Sequence, residues 1–172
     1  MKMRNHKVGL LPFEPSDAYI ISDWYYSGEY PFYFRSLSSV VKITDFQNFD
    51  HLLGGSTFIV RDELKKEPVG MVGIHGVNTL SMTCKFMALS DVKYRGKEYI
   101  KEATSLVFNW LFKELNYNRV YSDVCEKDER TLYVVKKSGM KCLGPVDLCK
   151  VSGKLYEEIR YYMDNTTYLE RY

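Results

Sequence analysis

The chain has 172 residues, 45% hydrophobic and 27% charged, which is the composition of a globular protein rather than a disordered segment or a coiled coil. A net charge of +2, with basic residues scattered along the chain, argues against a nucleic-acid partner, and no stretch approaches the roughly 20 apolar residues that span a bilayer. The four cysteines form no CxxC pair and the three histidines lie far apart, which argues against a metal or redox centre and for reduced thiols.

The length suits a single domain over 1–172. The opening MKMRNHKVGLLPFEP carries charge but too short an apolar run for an export signal, so a cytoplasmic location is expected. Val8 to Phe13 reads as a first strand closed by Glu14-Pro15. Ser16 is the expected cap of a helix from Asp17 to about Ser27, with Ile20, Ile21 and Trp24 on one face. An aromatic-rich connection follows over Gly28–Ser39, then a short helix over Asp45–Leu53 stopped by Gly54-Gly55. Thr57–Asp62, Val69–Val77 and Ser81–Leu89 form a meander of strands.

The period then changes. Ile100, Ala103, Val107, Trp110 and Leu111 recur at three and four residues, marking a helix from about Lys97 to Leu115. Val120–Val124 is a strand, Asp128–Ser138 a helix ended by Gly139, Met140–Leu143 a short strand, and Leu155–Met163 a last strand with an edge character. The expectation is a mixed α/β (α+β) sheet of about six to seven strands flanked by helices. Its fourth and fifth strands, Ser81–Leu89 and Val120–Val124, run parallel in the middle, and a ligand would sit beyond their carboxyl ends.

The most informative stretch is LSDVKYRGKEYIKEA, Leu89–Ala103. It reads as a strand end, a basic turn at Arg95-Gly96-Lys97, and a helix start whose unpaired N–H groups and partial positive charge favour an anion.

These residues resemble the GNAT acyl-CoA N-acyltransferases, in particular the branch that acetylates ribosomal-protein N-termini. LLPFEPSDA, PVGMVGIHGV, KYRGKEYIKEA and RVYSDVCEKDERTLYVVKKSGMK match its opening strand and helix cap, third strand, pyrophosphate turn, and fifth strand with fourth helix, in the right order. The resemblance implies acetyl transfer from acetyl-CoA to an amine, such as a protein N-terminus or a small amine, with no metal and no membrane. It places cofactor contacts at Met87, Leu89, Ser90, Arg95, Gly96, Lys97, Glu98, Tyr99, Ile100 and Asp128.

Several positions depart from the pattern. Glu98 and Ile100 replace two small residues of the turn, and glycine there lets backbone approach phosphate closely. Asp128 stands where an asparagine usually opens the fourth helix. The tyrosine that often protonates the thiolate falls at Val135, leaving Tyr133, roughly 200° around the helix, as the candidate donor. His75 on the third strand is a candidate base through water, and Asp123 and Glu126 lie near the expected acceptor. The aromatic loop, with Tyr26, Tyr30, Phe32 and Tyr33, reads as an acceptor wall or an anchor for a protein partner. The departures keep a second reading open: the fold retained without the reaction, as an interaction or assembly module.

Overall fold

The computed structural model describes residues 3–35 and 43–171. Two strands, β1 (Met3–Arg4) and β2 (Val8–Pro12), lead into a turn of 3-10 helix at Pro15–Asp17 and helix α1 (Ala18–Tyr26). Ser16 does not cap this helix. Glu14 and Asp17 instead form a reciprocal capping box, and Asp17 also pairs with Arg61 at 3.0 Å. Ile20, Ile21 and Trp24 turn inward, as their spacing requires. Of the aromatic connection, residues 36–39 lie outside the described residues. A 3-10 segment at Ile43–Asn48 continues as α2 (Phe49–Leu53), which Gly54 ends at φ +62°, a left-handed conformation suited to glycine.

Strands β3 (Gly55–Asp62), β4 (Pro68–Asn78) and β5 (Thr83–Ser90) form the meander, followed by α3 (Tyr99–Asn109), whose last stretch at Trp110–Glu114 widens to π geometry. Then come β6 (Arg119–Cys125), α4 (Glu129–Lys137), β7 (Lys141–Val151), β8 (Lys154–Asp164) and α5 (Asn165–Arg171). The eight strands form one sheet in the order β1-β2-β3-β4-β5-β6-β8-β7, parallel only between β5 and β6.

The sheet thus has eight strands rather than six to seven. The expected strand Met140–Leu143 is the start of an eleven-residue strand that continues through Gly144, Pro145 and Asp147, where the register shifts twice. Irregularities and a proline are tolerated there because β7 is an edge. The last strand is therefore not the edge: β8 lies between β6 and β7.

Adjacent residues on a strand face opposite ways, and the core divides accordingly. Val60, Val72, Phe86, Val120 and Val124 pack with Ala103, Val107, Phe108 and Leu111 of α3 and with Val135 of α4. Ile59, Met71 and Leu89 pack on the other face with Ile20, Ile21 and Trp24 of α1 and with Phe46 and Phe49. No described helix is long and apolar enough to cross a membrane.

Candidate active site

The two parallel strands touch only at their starts. Thr83–Lys85 pair with Arg119–Tyr121, and beyond these residues the register of β5 with β6 ends. An opening forms between Phe86–Ser90 and Ser122–Cys125, the second group pairing with β8 alone. Which peptide groups face it follows from the register. Asp91 donates its N–H to Val69 at 2.9 Å, so Met71–Leu89 and Gly73–Met87 are the pairs that exchange both backbone bonds. Met87 and Leu89 therefore spend their peptide groups on β4. Ser90 alone of the three expected contacts turns its peptide to the opening, joined by Ala88 and Phe86.

The turn after β5 is built tightly. Asp91 accepts from the Lys93 amide at 2.8 Å and from Trp24 Nε1 at 2.9 Å, while the Val92 amide donates to the Tyr30 hydroxyl at 2.9 Å. Arg95 lies over the Tyr30 ring, 5.2 Å from its centre, and 3.7 Å from Glu29. Tyr99 donates its hydroxyl to Asp62 at 2.6 Å, holding the start of α3 against β3, and Lys97 lies exposed over Tyr94.

The two residues that depart from the turn's small-residue pattern both turn away from the helix start. Glu98 adopts φ +63°, the conformation for which glycine is favoured, and its carboxylate swings out to Lys101 at 2.9 Å. That pairing holds its pKa below the usual carboxylate range. Ile100 turns down onto the sheet, where its Cδ1 would stand 2.6 Å from a Cβ on Gly70. The first bond of the helix runs from the Glu102 amide to Glu98 at 3.0 Å, so the first-turn amides of Tyr99 and Ile100 have no acceptor within the helix, and the side chains of Glu98 and Ile100 are engaged elsewhere. With Gly96 at φ +76° beside them, the residues fit a diphosphate.

On the face opposite α3, a charged cluster borders the opening. Asp123, with its side chain only 8% exposed, accepts from Arg160 Nε and Nη2 at 2.6 and 2.7 Å and from Lys85 Nζ at 2.7 Å. Burial alone would raise its pKa; the bonds from Arg160 and Lys85 outweigh that and hold it below the ordinary value. Asp123 is thus a fixed counter-ion, not a free base. His75 sits opposite Lys85 in the register, half-buried. Burial first, then the field of Lys85, lowers its pKa, so the imidazole is neutral at pH 7.

The remaining expected residues are placed as follows. Asp128 caps α4, accepting from the Thr131 amide at 3.1 Å. Tyr133 points to solvent at 62% exposure, its hydroxyl 3.1 Å from Lys137, apart from the Asp123 cluster, while Val135 is buried. Glu126 accepts from the Glu157 amide at 3.2 Å. Tyr30 anchors the turn, Phe32 packs with Cys125, Cys149 and Val151, Tyr33 stacks edge-on to Phe34, and Tyr26 is exposed. All four cysteines are free, and burial pushes Cys84 up to about 12. Among the described residues no cluster of three metal-ligating side chains occurs. Lys85, Arg160 and Arg35 are the site residues the sequence reading missed; alternation along β5 and β6 put Lys85 and Asp123 on one face, but only the sheet order brings Arg160 to them.

The family model described as an acetyltransferase (GNAT) domain matches residues 7–141. None of the curated proteins matches the chain in sequence. Among solved structures, the fold is similar to a spermidine N-acetyltransferase from Vibrio cholerae in complex with CoA and spermine, at 17% identity and TM-score 0.82, covering 96% of this chain and 99% of that one. A dodecameric form of spermidine N-acetyltransferase from the same organism aligns at 17% identity and TM-score 0.79, over 97% and 99%. A probable acetyltransferase aligns at 16% identity and TM-score 0.81, over 96% and 98%. At these identities the likeness establishes the fold.

Proposed function

The chain belongs to the GNAT acetyltransferase domain family, and on that premise we propose that it moves an acetyl group from acetyl-CoA to an amine on a small molecule or a protein N-terminus. The observation that carries this reading is the open start of α3: Glu98 turned outward to Lys101 and Ile100 turned onto Gly70. Acetyl-CoA, as co-substrate, supplies the acyl group as an activated thioester. Peptide amides from Gly96 to Ile100 would hold its diphosphate, and the peptide edge at Ala88 and Ser90 would hold the amides of its arm.

Helices α3 and α4 both pack on one face of the sheet, so the acceptor would approach from the face that carries His75, Lys85 and Asp123. Neutral His75 would take the amine's proton through water. With Val135 buried at the usual proton-donor position, most of the acceleration falls to holding the two reactants in line. The sequence motifs support the branch that acetylates ribosomal-protein N-termini, and the solved relatives support small amines such as spermine.

Thermal denaturation with acetyl-CoA tests this reading. Ligand at 100 times its dissociation constant stabilises a fold by about 2.7 kcal/mol. No shift at millimolar acetyl-CoA would remove it. The missing proton donor favours a second reading, a GNAT fold that binds partners without turnover. Its signature is acetyl-CoA binding without thiol release in the presence of any amine.

A further inference from the structure

We infer that the acceptor carries a carboxylate beside its amine, received at the mouth of the β5–β6 opening by Lys85, Arg35 and Arg160. The inference rests on the acyl-transfer reading above and narrows its substrate class.

The register again decides which groups face the opening. Glu126 donates to Glu157 at 2.9 Å, so Val124 and Ser122 are the residues of β6 that bond β8, and the Asp123 peptide turns toward β5. Arg35, on the connection after α1, donates Nη2 to that Asp123 oxygen at 3.0 Å and Nη1 to the Phe32 oxygen at 2.5 Å, and it pairs with Glu158. A guanidinium therefore stands at the edge where an acceptor must enter.

Charge at this mouth is uneven. Three cations, Lys85, Arg35 and Arg160, meet two carboxylates, Asp123 and Glu158. Both carboxylates are engaged, Asp123 by Lys85 and Arg160 and Glu158 by Arg35, at side-chain exposures of 8% and 17%. The cations keep donors in reserve: Lys85 is 36% exposed and uses one of its three N–H bonds on Asp123. Behind them Arg119 and Lys141 flank the Tyr162 ring at 4.5 and 6.0 Å, with Asp164 3.6 Å from Lys141.

A polycation entering here meets like charge, and among the described residues the two carboxylates of the cluster, Asp123 and Glu158, are already engaged. A carboxylate meets the remaining N–H donors of Lys85 and the unused Nη1 of Arg160, beside an Arg35 that spends four of its five N–H bonds on Glu158, Phe32 and Asp123. The same field favours the uncharged form of a nearby amine, which is the nucleophilic form. His75 sits opposite Lys85 in the register and shares this mouth; burial first, then Lys85, lowers its pKa, with Asp123 and Glu158 acting the other way.

The test measures thiol release from acetyl-CoA with glutamate, with a peptide bearing an acidic N-terminal residue, and with spermidine, each over a concentration series. The better of the two carboxylate-bearing amines should exceed spermidine in kcat/KM by roughly tenfold or more, and the ranking of the two separates a free amino acid from a protein N-terminus. Lys85→Gln should raise KM for that acceptor by roughly tenfold with a smaller change in kcat. Arg35→Gln, on a connection rather than a strand, gives the same readout should the Lys85 variant fail to fold. Preference for spermidine, or an unchanged KM in the folded variants, overturns the inference while leaving acyl transfer standing. Acetyl-CoA binding without turnover of any carboxylate-bearing amine also overturns it. No acetyl-CoA-dependent thermal shift marks failure of the acyl-transfer reading itself.

Discussion

Ile100 and Gly70 are complementary: the isoleucine Cδ1 occupies the space above the strand glycine, 2.6 Å from where a Cβ would stand. The bulk at a turn position where the family prefers a small residue is absorbed by a missing side chain on β4. The helix start stays clear as a result.

Gly70→Ala should therefore disturb the site from beneath. The new Cβ would meet Ile100 at 2.6 Å and the Leu89 peptide oxygen at 2.2 Å, so both α3 and β5 must shift. The expected cost is about 1–3 kcal/mol of unfolding free energy, read from a urea midpoint, together with weaker acetyl-CoA binding. Ile100→Ala should lose about 2 kcal/mol of packing at most and bring no gain in acetyl-CoA affinity, because the side chain already lies outside the anion's path.

Glu98→Gly acts in the opposite direction. Glu98 holds φ +63°, a conformation costly for a side-chain-bearing residue and free for glycine. The variant should unfold at higher urea and bind acetyl-CoA severalfold more tightly at low ionic strength, roughly threefold, with the gain fading as salt rises. Equal affinity at all salt concentrations would show that the carboxylate has no influence on the site.

Asp123→Ala should be among the most damaging single changes near the opening. It strips Arg160 and Lys85 of their shared partner in a position only 8% exposed, at an expected cost of about 2–4 kcal/mol. Because the folded-state pKa of Asp123 is depressed, its contribution is complete above the ordinary carboxylate value and is lost as pH falls through the lowered one. A difference in stability between the wild type and this variant should therefore be flat from pH 5 to 8 and shrink only in acid.

The His75 pKa is also depressed, which here favours the neutral ring in the folded state. Its stability contribution is full above 6.5, the ordinary histidine value, and declines as pH drops through the lower folded value. If His75 receives the acceptor's proton, kcat/KM should fall below that same value with a slope of one proton, and His75→Gln should abolish the step. A profile unchanged in the variant would leave His75 a structural residue.

Much of this was legible in the sequence, and for physical reasons. The β-branched, apolar run Thr57–Asp62 and the meander through Val69–Val77 and Ser81–Leu89, followed by helical period from Ile100 to Leu111, gave the order that makes β5 and β6 parallel. The strand expected to end at Leu143 instead runs on through Gly144-Pro145, a proline that β7 tolerates because it lies on an edge. The insertion of β8 between β6 and β7 is not encoded in any local period, so Arg160 could not be matched to Asp123, 37 residues away. Likewise Glu98 and Ile100 read as obstructions, because the φ of one and the strand partner of the other appear only in three dimensions.

The central claim is that the peptide amides beginning α3 receive a diphosphate. Titrating acetyl-CoA into isotopically labelled protein and following the amide resonances of Gly96 to Ile100 tests it directly. Saturable shifts concentrated on these residues, together with Ala88 and Ser90, are the predicted result. Resonances that stay unmoved at millimolar acetyl-CoA, in a protein shown to be folded, would contradict it.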